Sequence, residues 1–79
     1  MDKNTLKPLV IAELRRIAPE VEELVPQKPL RDQVDLDSMD WLNFLIALNE
    51  RFKVEIAEAD YRKLVTLDDV VGYLAAKLP

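Results

Sequence analysis

The residues best suited to chemistry lie at positions 35–42, where the chain reads Asp-Leu-Asp-Ser-Met-Asp-Trp-Leu. Ser38 supplies a hydroxyl between acidic neighbours, and an apolar helical pattern begins directly after it. A serine at a helix start can cap the helix by accepting a hydrogen bond from an unpaired backbone N–H group. The same position also suits esterification by a phosphate, because free N–H groups and the helix dipole favour an anion. The residues alone leave both roles open.

A catalytic serine or a metal site fits this stretch poorly. A nucleophilic serine needs a base, usually histidine, and an oxyanion hole, and the chain contains no histidine. The aspartates at 35, 37 and 40 lack the spacing and the turn glycine of a calcium loop. They would also repel a phosphate unless a divalent cation or a basic residue of a modifying enzyme bridged the charges. We therefore predict a non-catalytic protein with no metal site of its own.

The composition restricts the protein to a few classes. Its 79 residues suffice for one hydrophobic core, and 49% hydrophobic with 33% charged residues is typical of a globular protein. Cysteine is absent, so helix packing rather than disulfides or thiolate metal sites must hold the fold. The net charge of −4 favours basic protein surfaces as partners and disfavours nucleic acid. No apolar run approaches the roughly 20 residues that span a bilayer, and the start lacks a secretory pattern, so we expect a cytoplasmic location.

The chain before the serine is predicted to form one helix and a long connection. Over residues 5–18 apolar side chains recur at steps of four, four and three. Asn4 or Thr5 is the expected cap, and Pro8 is expected to mark the first turn, where its missing N–H has no intrahelical partner. Residues 19–37 hold three prolines and no sustained period. They are predicted to pack on the bundle as a connection with at most a short helical turn.

The next helix is predicted to begin at Asp37 or Ser38 and to run through Phe52 with two distinct faces. Its buried stripe is Trp41, Leu42, Leu45, Leu48 and Phe52. Its outward stripe is Met39, Asn43, Ile46 and Glu50.

Beyond residue 52 the pattern predicts a loop over residues 53–56, a short helix over 57–64, and a final helix capped by Thr66. The core stripe of that last helix is Leu67, Val70, Val71, Leu74, Ala75 and Leu78. The predicted fold class is all-α: a small four-helix bundle, with three main helices and one short one. A long loop separates its first and second helices, and residues 1–79 are expected to form a single domain.

Three stretches resemble the acyl carrier protein family. Asp-Ser-Met-Asp at residues 37–40 is similar to the family's Asp-Ser-Leu attachment motif. Ala-Leu-Asn-Glu-Arg-Phe at residues 47–52 stands where the family usually has an Ala-Leu-Glu-Glu-Phe-like run, and residues 66–71 resemble the start of the family's last helix. The resemblance covers essentially the whole chain, and the spacing of the three stretches makes it more specific than the first motif alone.

The resemblance implies that Ser38 receives 4′-phosphopantetheine from coenzyme A, with Asp37 and Met39 beside it in the attachment site. A phosphopantetheinyl transferase would supply the base and magnesium, and the thiol of the arm would hold acyl groups as thioesters, which accounts for a carrier without cysteine. Acyl chains are expected to slip between the helices. The expected pocket walls are Leu45, Leu48, Val70 and Leu74, for which plain core packing is the alternative role.

The resemblance also implies that the helix after Ser38 meets partners, namely the transferase and enzymes that load and transfer acyl groups. The predicted partner-binding residues are Met39, Asp40, Asn43, Ile46 and Glu50. In the family this face is commonly acidic and docks onto basic patches. Here Asn43 and Asn49 stand where glutamates are frequent, and Met39 and Ile46 are apolar. We predict a more apolar docking contact and hence a specialised carrier; neutral variation on a solvated face is the alternative.

Further departures from the family concern packing near the serine. Met39 in place of the usual leucine conserves volume. Leu36 stands where a glycine often precedes the Asp-Ser pair, which makes the turn less free. Trp41 is predicted to lie in the core, and Phe44 at the edge of the buried stripe, partly exposed.

The sequence therefore predicts a monomeric acyl carrier for fatty acid, polyketide or specialised lipid synthesis. A peptidyl or aminoacyl carrier of the same fold is one alternative. An unmodified helical adaptor that binds proteins through Met39 and Ile46 is the alternative from a different class.

Overall fold

Three long helices and two short ones make up the fold of residues 1–78, the part of the chain that this computed structural model describes. They are α1 (Lys3–Ile17), α2 (Leu30–Gln33), α3 (Ser38–Phe52), a 3₁₀ helix (Glu58–Lys63) and α4 (Leu67–Lys77). Helix α1 packs against both α3 and α4. This arrangement confirms the predicted all-helical bundle with a long first connection.

Helix α1 begins earlier than predicted. Asp2 is its N-cap, and its carboxylate accepts a hydrogen bond from the backbone N–H of Thr5 at 2.7 Å. The predicted cap at Asn4 or Thr5 is therefore wrong, and Pro8 lies inside the helix rather than in its first turn. Pro8 cannot donate to the carbonyl of Asn4. Because Asn4 is exposed, water can satisfy that carbonyl and the helix continues.

The core is a single cluster to which all three long helices and the long connection contribute. Its fully buried large side chains are Leu6, Val10, Leu14, Leu30, Phe44, Leu45, Leu48, Leu67, Val70 and Leu74. From the connection, Val21, Val34 and Leu36 are buried, whereas Val25 is exposed. The prediction that this segment packs on the bundle is confirmed.

The buried face of α3 differs from the predicted stripe, because Leu45, Leu48 and Phe52 are buried as predicted but Leu42 is only half-buried. Phe44 is fully buried and packs against Trp41, with ring centroids 5.4 Å apart, so its predicted partial exposure is wrong. Trp41 itself is half-buried against the core. Arg51 follows Phe44 by seven residues and so lies on the same side of the helix, where it contacts Glu13 of α1. Phe44 is covered because α1 packs over this side.

Helix α3 ends at Lys53, which adopts the left-handed conformation with φ 55° and ψ 38°. Within residues 1–78 no strand forms after it, and the predicted short helix is the 3₁₀ helix. An isolated antiparallel bridge between Pro29 and Thr66 ties the long connection to the start of α4. Thr66 caps α4 as predicted, accepting from the backbone N–H of Asp69 at 3.0 Å.

No helix within residues 1–78 has both the length and the apolar character needed to span a membrane.

Candidate functional site

The start of α3 is held by a capping box that does not involve the Ser38 hydroxyl. The Asp37 carboxylate accepts from the backbone N–H of Asp40 at 2.8 Å, and the Asp40 carboxylate accepts from the backbone N–H of Asp37 at 3.4 Å. Asp37 is therefore the N-cap, and Ser38 is the first residue of the helix. The alternative in which Ser38 caps the helix is wrong.

Ser38 is exposed, and neither its hydroxyl nor its backbone N–H forms a hydrogen bond within the described residues. The N–H of Met39 is unpaired in the same way. Free N–H groups of a first helical turn are the donors that can receive an anion. The hydroxyl is thus accessible, uncommitted and next to unpaired donors.

The turn before Ser38 is fixed by packing. Leu36 is buried in the core, and its carbonyl accepts a long hydrogen bond of 3.5 Å from the Arg31 guanidinium. Among non-glycine residues of the described chain, only Lys53 has a positive φ. A glycine is therefore not needed at position 36, and the leucine found there anchors the turn.

The electrostatic field around the hydroxyl is negative. Asp35 and Asp37 are exposed and Asp40 is half-buried, and none of the three pairs with a basic side chain in residues 1–78. No cluster of three or more acidic side chains in this part of the chain is arranged to hold a metal ion. A phosphate arriving at Ser38 therefore needs a cation brought by another molecule.

The outward stripe of α3 faces solvent as predicted, since all four of its residues are exposed. Met39 is 63% exposed and Ile46 is 45% exposed, so two large apolar side chains lie on this face. Asp40, the fifth predicted partner-binding residue, is half-buried, and its carboxylate takes part in the capping box.

The predicted acyl-pocket residues are all fully buried and pack in the core. An apolar groove of about 200 Å³ lies instead beside Trp41, one turn beyond Ser38. Its lining is Pro29, Arg31, Trp41, Tyr61, Arg62, Leu64 and Val65. The sequence reasoning missed this groove because most of its walls come from the long connection, the 3₁₀ helix and the residues just after that helix, where no period marks a face.

Comparison with known proteins places this geometry in a family. Residues 5–74 match the family model described as a phosphopantetheine attachment site. An acyl carrier protein of an Exiguobacterium species is 30% identical over 63 residues, which cover 80% of each chain. One from Campylobacter fetus is 31% identical over 65 residues, which cover 82% of each. The solution structure of a protein from Anaplasma phagocytophilum, described as an acyl carrier protein, superposes with a TM-score of 0.85 at 29% identity, covering 98% of this chain and 92% of that one.

The matched region and the helical fold define a class of carrier domains that bear a covalently attached 4′-phosphopantetheine. Proteins of this class carry acyl groups for other enzymes and are not catalysts themselves. The chain belongs to the acyl carrier protein family.

Proposed function

We propose that residues 1–79 form one acyl carrier domain in which Ser38 bears the 4′-phosphopantetheine arm. The observation that supports this most is the separation of roles at the start of α3. Asp37 caps the helix, and Ser38 is left exposed with its hydroxyl unbonded. The residues present fit the phosphate of the arm, because two unpaired N–H groups adjoin the hydroxyl.

The attachment chemistry needs groups that this chain lacks. Ser38 has no side chain bonded to it that could take its proton, and the acidic neighbours oppose an incoming phosphate. The transferase therefore brings the base and the magnesium ion. Once attached, the arm supplies the thiol that holds an acyl group as a thioester. Asp37 keeps the serine at the first helical position, and the exposed Met39 follows it in the first turn of α3.

The partner-facing surface is proposed to be the exposed side of α3. Its residues are Met39, Asp40, Asn43, Ile46 and Glu50. The apolar character of Met39 and Ile46 supports docking that depends on buried contact area more than on charge. Such a contact fits the enzymes of a specialised lipid or polyketide system better than it fits enzymes whose docking sites bind acidic carriers. The partners are the transferase and the enzymes that load and transfer acyl groups.

The acyl chain is proposed to be sheltered against the core. In this conformation solvent does not reach Leu45, Leu48, Val70 and Leu74, so an acyl chain contacts them only if the helices separate. The groove beside Trp41 offers an entry, because it is apolar and lies one helical turn from Ser38. We propose a monomeric cytoplasmic carrier with no nucleic-acid partner, consistent with the net charge of −4.

Mass spectrometry tests the attachment directly. The purified chain is incubated with a promiscuous phosphopantetheinyl transferase, magnesium and coenzyme A, and a gain of one arm is expected. Ser38 is the only serine in the sequence, so Ser38→Ala should abolish the gain, while Thr66→Ser, which keeps the cap of α4, should not alter it. An unmodified wild-type chain would favour the adaptor function, for which the exposed Met39 and Ile46 are the supporting observation.

A further inference from the structure

The apolar groove beside Trp41 carries two positive charges on its walls and no negative one. Its charged lining residues are Arg31 and Arg62, and the rest of the lining is uncharged: Pro29, Trp41, Tyr61, Leu64 and Val65. Neither arginine forms an ion pair within residues 1–78. Two arginines and no acid give the lining a formal charge of +2, in a chain whose total is −4.

Hydrogen bonds to the backbone hold the walls of this groove in place. The Arg31 guanidinium donates to the Leu36 carbonyl at 3.5 Å, which places that side chain against the turn before Ser38. The backbone N–H of Leu30 donates to the Val65 carbonyl at 2.9 Å. The wall formed by the long connection is therefore joined to the wall that follows the 3₁₀ helix.

The groove lies within reach of a group tethered at Ser38. Trp41 follows Ser38 by three residues on α3, and residues with this spacing are neighbours on a helix surface. Because the phosphopantetheine arm is longer than one helical turn, an acyl group at its end can be brought back to the groove. Trp41 and Tyr61 are half-buried and give it apolar walls, and its volume of about 200 Å³ limits it to a short acyl group.

Both guanidinium groups keep free donors for an anion. Arg31 and Arg62 are exposed, and Arg31 uses one of its five N–H donors on the Leu36 carbonyl. Guanidinium groups form charge-assisted hydrogen bonds with carboxylates. The exposed aspartates at 35 and 37 repel a carboxylate from the start of α3. The distribution of charge therefore directs a tethered carboxylate away from the helix start and into the groove.

We propose that this groove receives a short acyl group that ends in a carboxylate, so that the cargo is a monothioester of a dicarboxylic acid. The carbon chain lies along Trp41 and Tyr61, and Arg31 and Arg62 bind the carboxylate. An unpaired carboxylate is costly to bury, so this cargo stays in the groove instead of passing between the helices. The inference rests on the proposed attachment of the arm at Ser38.

The test follows the groove through Trp41, which is the only tryptophan in the sequence. A promiscuous transferase attaches three arms to the full-length chain: one from coenzyme A itself, and two from analogues that carry a glutaryl or a pentanoyl group through a stable amide. Mass spectrometry verifies each attachment. The glutaryl arm is expected to shift the NMR signals of the Trp41 indole N–H and the Arg62 Nε–H about threefold more than the pentanoyl arm, and the bare arm least.

A second measurement does not need the attachment. The same two acyl groups are titrated as free pantetheine amides into the full-length Ser38→Ala chain, where the glutaryl ligand should bind about fivefold more tightly than the pentanoyl ligand. No gain of mass with any arm would overturn the proposed function together with the cargo. A gain of mass without a preference for glutaryl, tethered or free, would overturn this inference alone.

Variants separate the groove from a general charge effect. Arg62→Gln should weaken the free glutaryl ligand about fivefold and leave the pentanoyl ligand unchanged, whereas Arg62→Lys keeps the charge and should weaken it less. The control is Lys63→Gln, which removes the same charge one residue along, outside the lining, where Lys63 pairs with Asp60 at 3.2 Å. It should leave the preference for glutaryl unchanged.

Three further results would each overturn the inference. Equal shifts from the glutaryl and pentanoyl arms would mean that the groove is a plain apolar site for a fatty chain. A shift from the bare arm as large as that from the glutaryl arm would mean that the arm itself occupies the groove. Equal losses in Arg62→Gln and Lys63→Gln would mean that the net charge of the chain, rather than this site, attracts the carboxylate.

Discussion

The hydroxyl of Ser38 is unengaged because Asp37 does the capping one residue earlier. The two residues are equally good caps by type, and the sequence pattern placed the helix start at either. What decides between them is Asp40, since only a cap at position 37 puts a carboxylate three residues on, where it can return a hydrogen bond to the cap's own N–H. Any substitution that makes Ser38 the N-cap would therefore engage its hydroxyl in a hydrogen bond with the backbone.

Replacing Asp37 tests this at the level of one hydrogen bond. Asp37→Ala should lower the free energy of unfolding by about 1 kcal/mol, because the N–H of Asp40 loses its acceptor. Asp37→Asn keeps an acceptor oxygen and should stay within a few tenths of a kcal/mol of the wild type. Urea denaturation followed by circular dichroism measures both.

The matched control is Asp35→Ala, which removes an exposed aspartate that makes no hydrogen bond in the described residues. Its unfolding free energy should stay close to that of the wild type. A loss as large as that of Asp37→Ala would mean that the negative charge near the helix start, rather than the cap, provides the stability.

Among the elements, the 3₁₀ helix is the one least secured by the core. None of its residues is buried. It is tied to α4 by the Tyr73 hydroxyl, which donates to the Asp60 carboxylate at 2.8 Å, and Asp60 also pairs with Lys63 at 3.2 Å. The hydrogen bond from Tyr73, with a smaller contribution from Lys63, lowers the pKa of Asp60 below its usual range.

The lowered pKa gives this contact a defined pH dependence. The stability it contributes is present above the pKa of the unfolded carboxyl and is lost as the pH falls through the lower pKa of the folded state. Tyr73→Phe should raise the pKa of Asp60, so protonation would begin at higher pH. Carboxyl ¹³C NMR titration measures the change. Tyr61→Phe is the control, because the Tyr61 hydroxyl makes no hydrogen bond in residues 1–78 and its loss should leave Asp60 unchanged.

The sequence predicted the helices correctly wherever a single periodic apolar face packs against the core. The starts of α3 and α4, the extent of α3 and the outward stripe all followed from caps and spacing. The start of α1 did not, because Pro8 is a helix-start signal that here lies one turn inside, and Asp2 caps from farther back. The burial of Phe44 was missed because α1 covers the flank of α3, which a single-helix pattern cannot show.

The α1–α3 contact could have been found from one signal. Glu13 falls three residues after Val10, on the buried face of α1, and a buried acid implies a basic partner elsewhere. Arg51 stands in the run where acidic residues are usual in the family and supplies that partner. The groove beside Trp41 had no comparable signal, because it depends on how the long connection and the 3₁₀ helix meet.

Across the whole molecule, the attachment serine and Arg51 lie toward opposite ends of α3, with the exposed Ile46 between them. A partner that covers this helix would contact the aspartates at its start, the apolar Met39 and Ile46 along its face, and Glu50 near its end. Long-range attraction by the net charge of −4 would bring basic surfaces to any part of the chain. The order of contacts along α3 would then decide which partner stays bound.

This order predicts how the carrier behaves with enzymes adapted to acidic carriers. Once the arm is attached, loading by a fatty-acid-synthesis acyltransferase should be slower than loading of an acidic carrier, because Asn43 and Ile46 offer no charge to a basic patch. Asn43→Glu should raise kcat/KM roughly threefold at low salt, since Asn43 is exposed and one added charge is worth a fraction of a kcal/mol. The gain should shrink as salt screens the added charge. The control is Thr5→Glu, which adds the same charge on α1, away from this face, and should leave the rate of loading unchanged. If the wild-type chain were loaded as fast as an acidic carrier, its apolar face would not make it a specialised carrier.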